Sequence, residues 1–188
     1  MNKLTEIANR LGTDKGTMDY GHGYTELYDL LLLSKRNQVM TMLEIGINDP
    51  RFPGASMKMW KEYFNYLVLV GFDNNPEALK FADPSNSTYV YLGDQSKPAD
   101  IIDCGQNYGP FDLIVDDGSH ISDHIINCFE QLFPFLKTGG MYIIEDLHAG
   151  HAEREKTLAV IDEIIRKNNY HPIHKSLHHY GKLYIVIK

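Results

Sequence analysis

The sequence predicts an α/β fold, a mostly parallel sheet covered by helices on both faces, and three observations predict it. Short apolar runs that read as buried strands recur at residues 40–47, 67–72, 88–92, 111–115 and 141–147. Segments with helical periodicity or helix-start signals separate most of them. The runs end at glycine or carboxylate residues, which places polar groups at the C-terminal ends of the strands, where such sheets bind ligands.

The stretch from Phe111 to His120, FDLIVDDGSH, carries the strongest signal. Apolar residues broken only by Asp112 run into Asp116, Asp117, Gly118, Ser119 and His120. A second run, Met141 to Leu147, is apolar until Glu145 and Asp146. Two neighbouring strand ends would aim these acids and one imidazole at a single crevice.

The chain has 188 residues, 43 % of them hydrophobic, which suits one well-buried domain. Within it, residues 1–39 are expected to supply N-terminal helices and a substrate or cofactor loop, and residues 40–188 the sheet core. With 18 basic against 25 acidic residues the net charge is -7, which argues against broad attraction to nucleic acid and for a small-molecule partner. Cys104 and Cys128 have no metal-type spacing and suggest no disulfide framework, as suits a reducing cytosol. The N-terminus lacks an apolar core of signal-peptide length, and no run approaches the roughly 20 residues of a membrane helix. A soluble, unprocessed, cytoplasmic protein with no membrane partner is expected.

Taken in order, Leu4, Ile7, Ala8 and Leu11 form one helical face, and Gly12 stops that helix. The segment GTDKGTMDYGHGY is loop. Thr25 is expected to cap the helix TELYDLLLLS, and after the first strand Ser56 to cap MKMWKEYFNYL. A helix near Pro76 to Phe81 follows the second strand, with Pro76 suited to its first turn. The fourth strand leads to a helix from about Ser122 to Leu136 and a turn Lys137–Gly140. A loop with His148 and His151, read as solvated, precedes an amphipathic helix from Arg154 to Asn168. Strands His174–His179 and Lys182–Lys188, separated by Tyr180-Gly181, read as a hairpin that adds antiparallel pairing.

Each candidate residue has a chemical reason, and most have a plain structural alternative. Gly46 lets a cofactor approach the main chain closely, or simply turns a strand into a loop. Asp73, at the second strand's end, suits a ribose diol, whose two hydroxyls a carboxylate accepts. Asp94 and Gln95 offer acceptors and donors to an adenine edge, and the alternative is an Asx-type turn. Asp117, Glu145 and Asp146 suit a hard divalent cation such as magnesium; otherwise they cap helices or balance lysines. Successive strand residues point to opposite faces, so Glu145 and Asp146 can share an ion only where the strand has broken. The same alternation separates Asp116 from Asp117, and Asp117 is preferred because it leads into Gly118. His120 suits a general base, since an unperturbed imidazole accepts a proton near neutral pH.

Taken together, GTDKG and HGYT, LEIGI, GASMKMW, GFD, GDQ, DDGSH and IEDL resemble the class I S-adenosylmethionine-dependent methyltransferases. Within them the pattern is similar to the magnesium-dependent macrolide sugar O-methyltransferases of the mycinamicin type, and more loosely to the cephalosporin hydroxylase group. The resemblance implies a Rossmann-like fold with a mostly parallel seven-stranded sheet and a C-terminal antiparallel hairpin. It implies S-adenosylmethionine and Mg2+ as cofactors, metal ligands at Asp117, Glu145 and Asp146, and His120 as proton acceptor. It also implies cofactor contacts at Thr25, Gly46, Ser56, Asp73 and Gln95. The expected reaction is methyl transfer to a hydroxyl of a sugar or other vicinal diol. The alternatives are a catechol-like or nucleoside hydroxyl, or a non-catalytic S-adenosylmethionine or nucleotide binding module. The family's paired glycines before the serine are Gly54-Ala55 here, and larger members carry an additional N-terminal region that shapes the acceptor pocket. Here the loops 12–24 and 148–153, or another subunit of a homo-oligomer, are expected to wall that pocket.

Overall fold

The computed structural model describes residues 2–147 and 153–188. The loop histidines His148 and His151, with most of the expected pocket wall 148–153, lie outside them.

The first helix, α1 (Lys3–Leu11), is capped by Asn2, whose side chain accepts from the Thr5 N–H at 2.8 Å. Gly12, left-handed at φ 75°, ends it. Then follow α2 (Tyr24–Leu32), β1 (Val39–Ile45), α3 (Ala55–Tyr63), β2 (Tyr66–Asp73) and β3 (Thr88–Leu92). The second half contains α4 (Pro98–Tyr108), β4 (Phe111–Asp116), α5 (Ser122–Leu132), β5 (Leu136–Ile144), α6 (Arg154–Lys167), β6 (His174–His178) and β7 (Leu183–Ile187). The strands form one seven-stranded sheet in the order β3-β2-β1-β4-β5-β7-β6, in which the first five are parallel and β7 runs antiparallel to both neighbours.

Two cores follow from the alternation of side chains along each strand. On one face Met40, Met42, Leu67 and Leu69 pack with Tyr28 of α2 and Trp60 of α3. On the other, Leu43, Ile45, Val70 and Ile114 pack with Ile101 of α4, Phe129 of α5 and Ile161 of α6. Because β1 lies between β2 and β4, the chain crosses to opposite sides of β1, and a crevice opens there at the strands' carboxyl ends.

Several local expectations are corrected. Gly23 (φ 72°) and Gly54 (φ 67°) occupy the N-cap positions of α2 and α3, so Thr25 and Ser56 lie inside their helices. The element near Pro76 is a 3-10 helix, Pro76–Phe81. Lys137–Gly140 belongs to β5, while the stretch after α5 is a 3-10 turn, Phe133–Phe135. Helix α4 has no counterpart in the sequence reading: Pro98 starts it and Ile101 and Cys104 are buried, but Gly105 and Asn107 are poor helix formers that mask the pattern. A Cβ on Gly105 would stand 2.5 Å from the Phe135 ring, so packing selects the glycine that local propensity disfavours.

Candidate active site

The crevice is a cleft of about 320 Å³, within the range of small-molecule sites. Gly46, just past β1, forms its floor with φ 83°, and a Cβ there would lie 2.1 Å from the Asp117 carbonyl oxygen. Only glycine fits both the backbone and the approach of the β4 tip. Ser56, Asp73, Asp94 and Gln95 line the same cleft, as do Asp117, His120 and Asp146.

Asp73 is largely occupied by the chain itself. Its Oδ2 accepts from the Ile47 and Asn48 N–H groups, both at 3.0 Å, and its Oδ1 from Asn75 N at 2.9 Å. The carboxylate therefore shapes the loop after Gly46 and keeps one acceptor site free on Oδ1. Asp94 forms an Asx-type turn, accepting from the Ser96 N–H (2.9 Å) and hydroxyl (2.7 Å), and these bonds draw its pKa below the usual carboxylate value. Gln95 donates to Asp116 Oδ1 at 3.0 Å and accepts from Ser119 N at 2.8 Å, so its amide braces the β4 tip. Thr25 is fully buried, pairs with the Thr5 hydroxyl at 2.9 Å and does not line the cleft. Its hydroxyl joins α2 to α1.

The two aspartates after β4 part company. Asp116 is buried beneath the cleft, and burial pushes its pKa up to about 7 against the opposing Gly118 N–H and Gln95 amide. Asp117 faces the cleft. At the next tip, β5 ends at Ile144 and Asp146 takes a left-handed backbone, φ 50°. The strand has thus broken before the pair Glu145-Asp146, as sharing one ion requires. Ligand atoms of Asp117, His120 and Asp146 lie within 4.8 Å of one another. Glu145 is set deeper. Its Oε1 accepts from the Tyr28 hydroxyl at 2.7 Å and its Oε2 from Lys15 Nζ at 2.8 Å, so only their second lone pairs remain for a metal.

Sequence reasoning missed the donors that hold these acids. Lys15, completely buried, reaches from the loop after α1 to Asp117 Oδ2 at 2.5 Å and to Glu145, with Glu44 Oε1 3.8 Å away. Burial alone would lower the lysine's pKa, but Asp117, Glu145 and Glu44 outweigh it and raise the value well above normal. Tyr24 donates a short hydrogen bond to Asp146 Oδ1, and His22 Nε2 lies 3.5 Å from the other oxygen. Burial works against ionising Asp146, yet the tyrosine, His22 and His120 together keep its pKa below normal. Burial raises Asp117 and Glu145 despite Lys15. A glycine-rich loop containing one lysine carries no local sign that the amine lies under a strand end.

The donor set fits a hard divalent cation. Oxygen atoms from two adjacent tips converge, and burial with mutual repulsion leaves the acids short of positive charge, which such an ion supplies. His120 Nε2 is 3.8 Å from Asp117 Oδ1.

No family model matches the chain. It is 38 % identical over 151 residues to an 8-demethyl-8-alpha-L-rhamnosyl tetracenomycin-C 2'-O-methyltransferase of Streptomyces olivaceus, covering 79 % of this chain and 38 % of that one. It is also 38 % identical over 148 residues to the demethylmacrocin O-methyltransferase of Streptomyces fradiae, covering 77 % of this chain and 36 % of the relative. Among solved structures, the MycE methyltransferase of the mycinamycin pathway, in complex with Mg, SAH and mycinamycin VI, superposes with a TM-score of 0.82 at 28 % identity. That match covers all of this chain and 54 % of the other. A Bacillus cereus O-methyltransferase at 16 % identity and a TM-score of 0.57 shares the fold. The chain therefore has the Rossmann-like class I methyltransferase fold, is homologous over most of its length to O-methyltransferases, and spans between a third and about half of those relatives.

Proposed function

We propose that the chain transfers the methyl group of S-adenosylmethionine to a hydroxyl of a sugar or other vicinal diol, with magnesium required. The observation that carries this reading is the convergence of Asp117, Asp146 and His120 in the cleft that Gly46 and Asp73 also line. Similarity to MycE, which was solved with Mg and SAH, supports the same pair of cofactors here.

When bound, S-adenosylmethionine supplies an electrophilic methyl group and magnesium the positive charge that favours an ionised acceptor. The chain's own residues position and move a proton. Gly46 leaves room for the cofactor against the main chain, Asp73 offers its free acceptor site to a ribose hydroxyl, and Ser56 and Gln95 border the same space. Asp117 and Asp146 hold the ion, with Glu145 contributing through its remaining lone pairs. His120 Nε2 takes the acceptor's proton. Its contribution is that of a positioned general base, about 10²- to 10⁴-fold in rate, added to the gain from orientation.

Among the described residues no helix is long and apolar enough to cross a membrane. Both cysteines are free and buried, which supports placement in the reducing cytoplasm. Incubation with isotopically labelled S-adenosylmethionine and magnesium, over a panel of glycosides, nucleotide sugars and catechols, tests the proposal. Label on a sugar hydroxyl, abolished by chelator, is expected. Label on a catechol alone rules out the sugar as acceptor, and transfer indifferent to chelator overturns the magnesium requirement.

A further inference from the structure

Four carboxylates, Glu44, Asp117, Glu145 and Asp146, crowd the ends of β1, β4 and β5. Lys15 is the ammonium group among them: its Nζ lies 2.5 Å from Asp117, 2.8 Å from Glu145 and 3.8 Å from Glu44. It is 0 % exposed, and its own main chain is anchored, the Lys15 carbonyl accepting from Thr25 N at 3.1 Å. A surface lysine that strays into an acidic pocket would not be built in this way. The two oxygens of Asp117 have different neighbours. Asp117 Oδ2 faces the ammonium, while Asp117 Oδ1 lies 3.8 Å from His120 Nε2.

We propose that Lys15 is a positioning residue, a cation built into the chain that ties three strand ends together and confines the divalent ion to the side formed by Asp117, Asp146 and His120. The charge of the acid cluster is then partly offset, and the fold assembled, before any metal arrives. Removing the ammonium leaves buried acids facing one another, and a divalent ion would be drawn toward the place it vacates. The part concerning the ion rests on the magnesium reading above. The part concerning charge balance does not.

Thermal melting and denaturant titration of the wild type, Lys15→Met and the double variant Lys15→Met/Glu145→Gln, each in chelator and in magnesium, test the proposal. Wild type stays folded in chelator. Lys15→Met should lose about 10²-fold or more in its folded-to-unfolded ratio there. Magnesium should restore much of that loss, more than it adds to wild type, and Glu145→Gln should restore part of it in chelator alone. By calorimetry Lys15→Met should bind magnesium more tightly, yet turn over more slowly, because the ion is no longer held to one side. A purely packing role predicts the same loss in chelator and magnesium with no recovery from Glu145→Gln, and that result overturns the proposal, as does unfolding of wild type in chelator. Should Lys15→Met fail to fold under any condition, the double variant decides: folded supports the proposal, unfolded overturns it. Recovery by Glu145→Gln with no response of any protein to magnesium upholds Lys15 as the balancing charge and removes the magnesium reading instead.

Discussion

His120 and Asp146, 26 positions apart in the chain, both adopt left-handed backbone, at φ 55° and φ 50°, and meet within 4.8 Å through their ligand atoms. Neither is glycine. Such conformations cost of order 1–3 kcal/mol each and persist where the surroundings over-determine them. The two tips therefore spend stability on aiming an imidazole and a carboxylate at one point.

Replacing the imidazole separates strain from chemistry. His120→Ala and His120→Asn should each lower turnover by about 10²-fold or more. Asparagine tolerates left-handed backbone better than alanine, so His120→Asn should be the more stable of the two by about 1 kcal/mol. Steady-state kinetics beside denaturant titration reads both, and an unchanged rate removes His120 from the mechanism.

Asp117→Asn keeps the shape of the side chain and removes a charge between Lys15 and the proposed ion. Magnesium-stimulated turnover should disappear while S-adenosylmethionine affinity, measured by calorimetry, changes little. Equal loss of both would show that Asp117 supports the cleft as a whole and has no special role toward metal.

Gly46→Ala sets a methyl group against the Asp117 carbonyl, 2.1 Å away, at a φ of 83°. Backbone must move, so a loss of more than about 2 kcal/mol of stability is expected. Cofactor binding should fall with it. A variant that melts like wild type and binds S-adenosylmethionine normally would deny the floor this role.

Glu44 gives a pH prediction. Burial raises its pKa to about 7, against the pull of Lys15 and the Trp60 N–H at 3.1 Å. Its folded pKa thus exceeds the unfolded value near 4.3. Between these values the folded state holds a proton that the unfolded state has lost, so this group's contribution to stability is present at acid pH and is lost as pH rises through about 7. Glu44→Gln cannot ionise. Its stability relative to wild type should therefore climb from pH 5 to pH 8 and level off, and a difference that stays flat across that range would contradict the raised pKa.

What was legible in the sequence is what local pattern encodes. Apolar runs ending in acids mark β2, β4 and β5, a run ending in glycine marks β1, and the pattern places the ends of β3 at Thr88 and Leu92, as observed. Helix α4 escaped because Gly105 and Asn107 lower its propensity, and only the Phe135 ring explains the glycine. The caps were misassigned to Thr25 and Ser56 because hydroxyl residues usually hold that place, while here left-handed glycines make the entry turns.

By itself the sequence determined that strands and helices alternate and that carboxylates, those of DDGSH and IEDL among them, stand at strand ends. Those properties are written in spacing, because the period of side-chain direction is a property of the local backbone. Tertiary structure alone decided that Lys15 meets Asp117 from 102 residues away, that Tyr28 meets Glu145 from 117, and that the Gln95 amide and Thr25 hydroxyl are already engaged within the protein. Nothing near Lys15 in the chain signals its partners, since an ion pair depends on which strand ends the folded sheet makes neighbours.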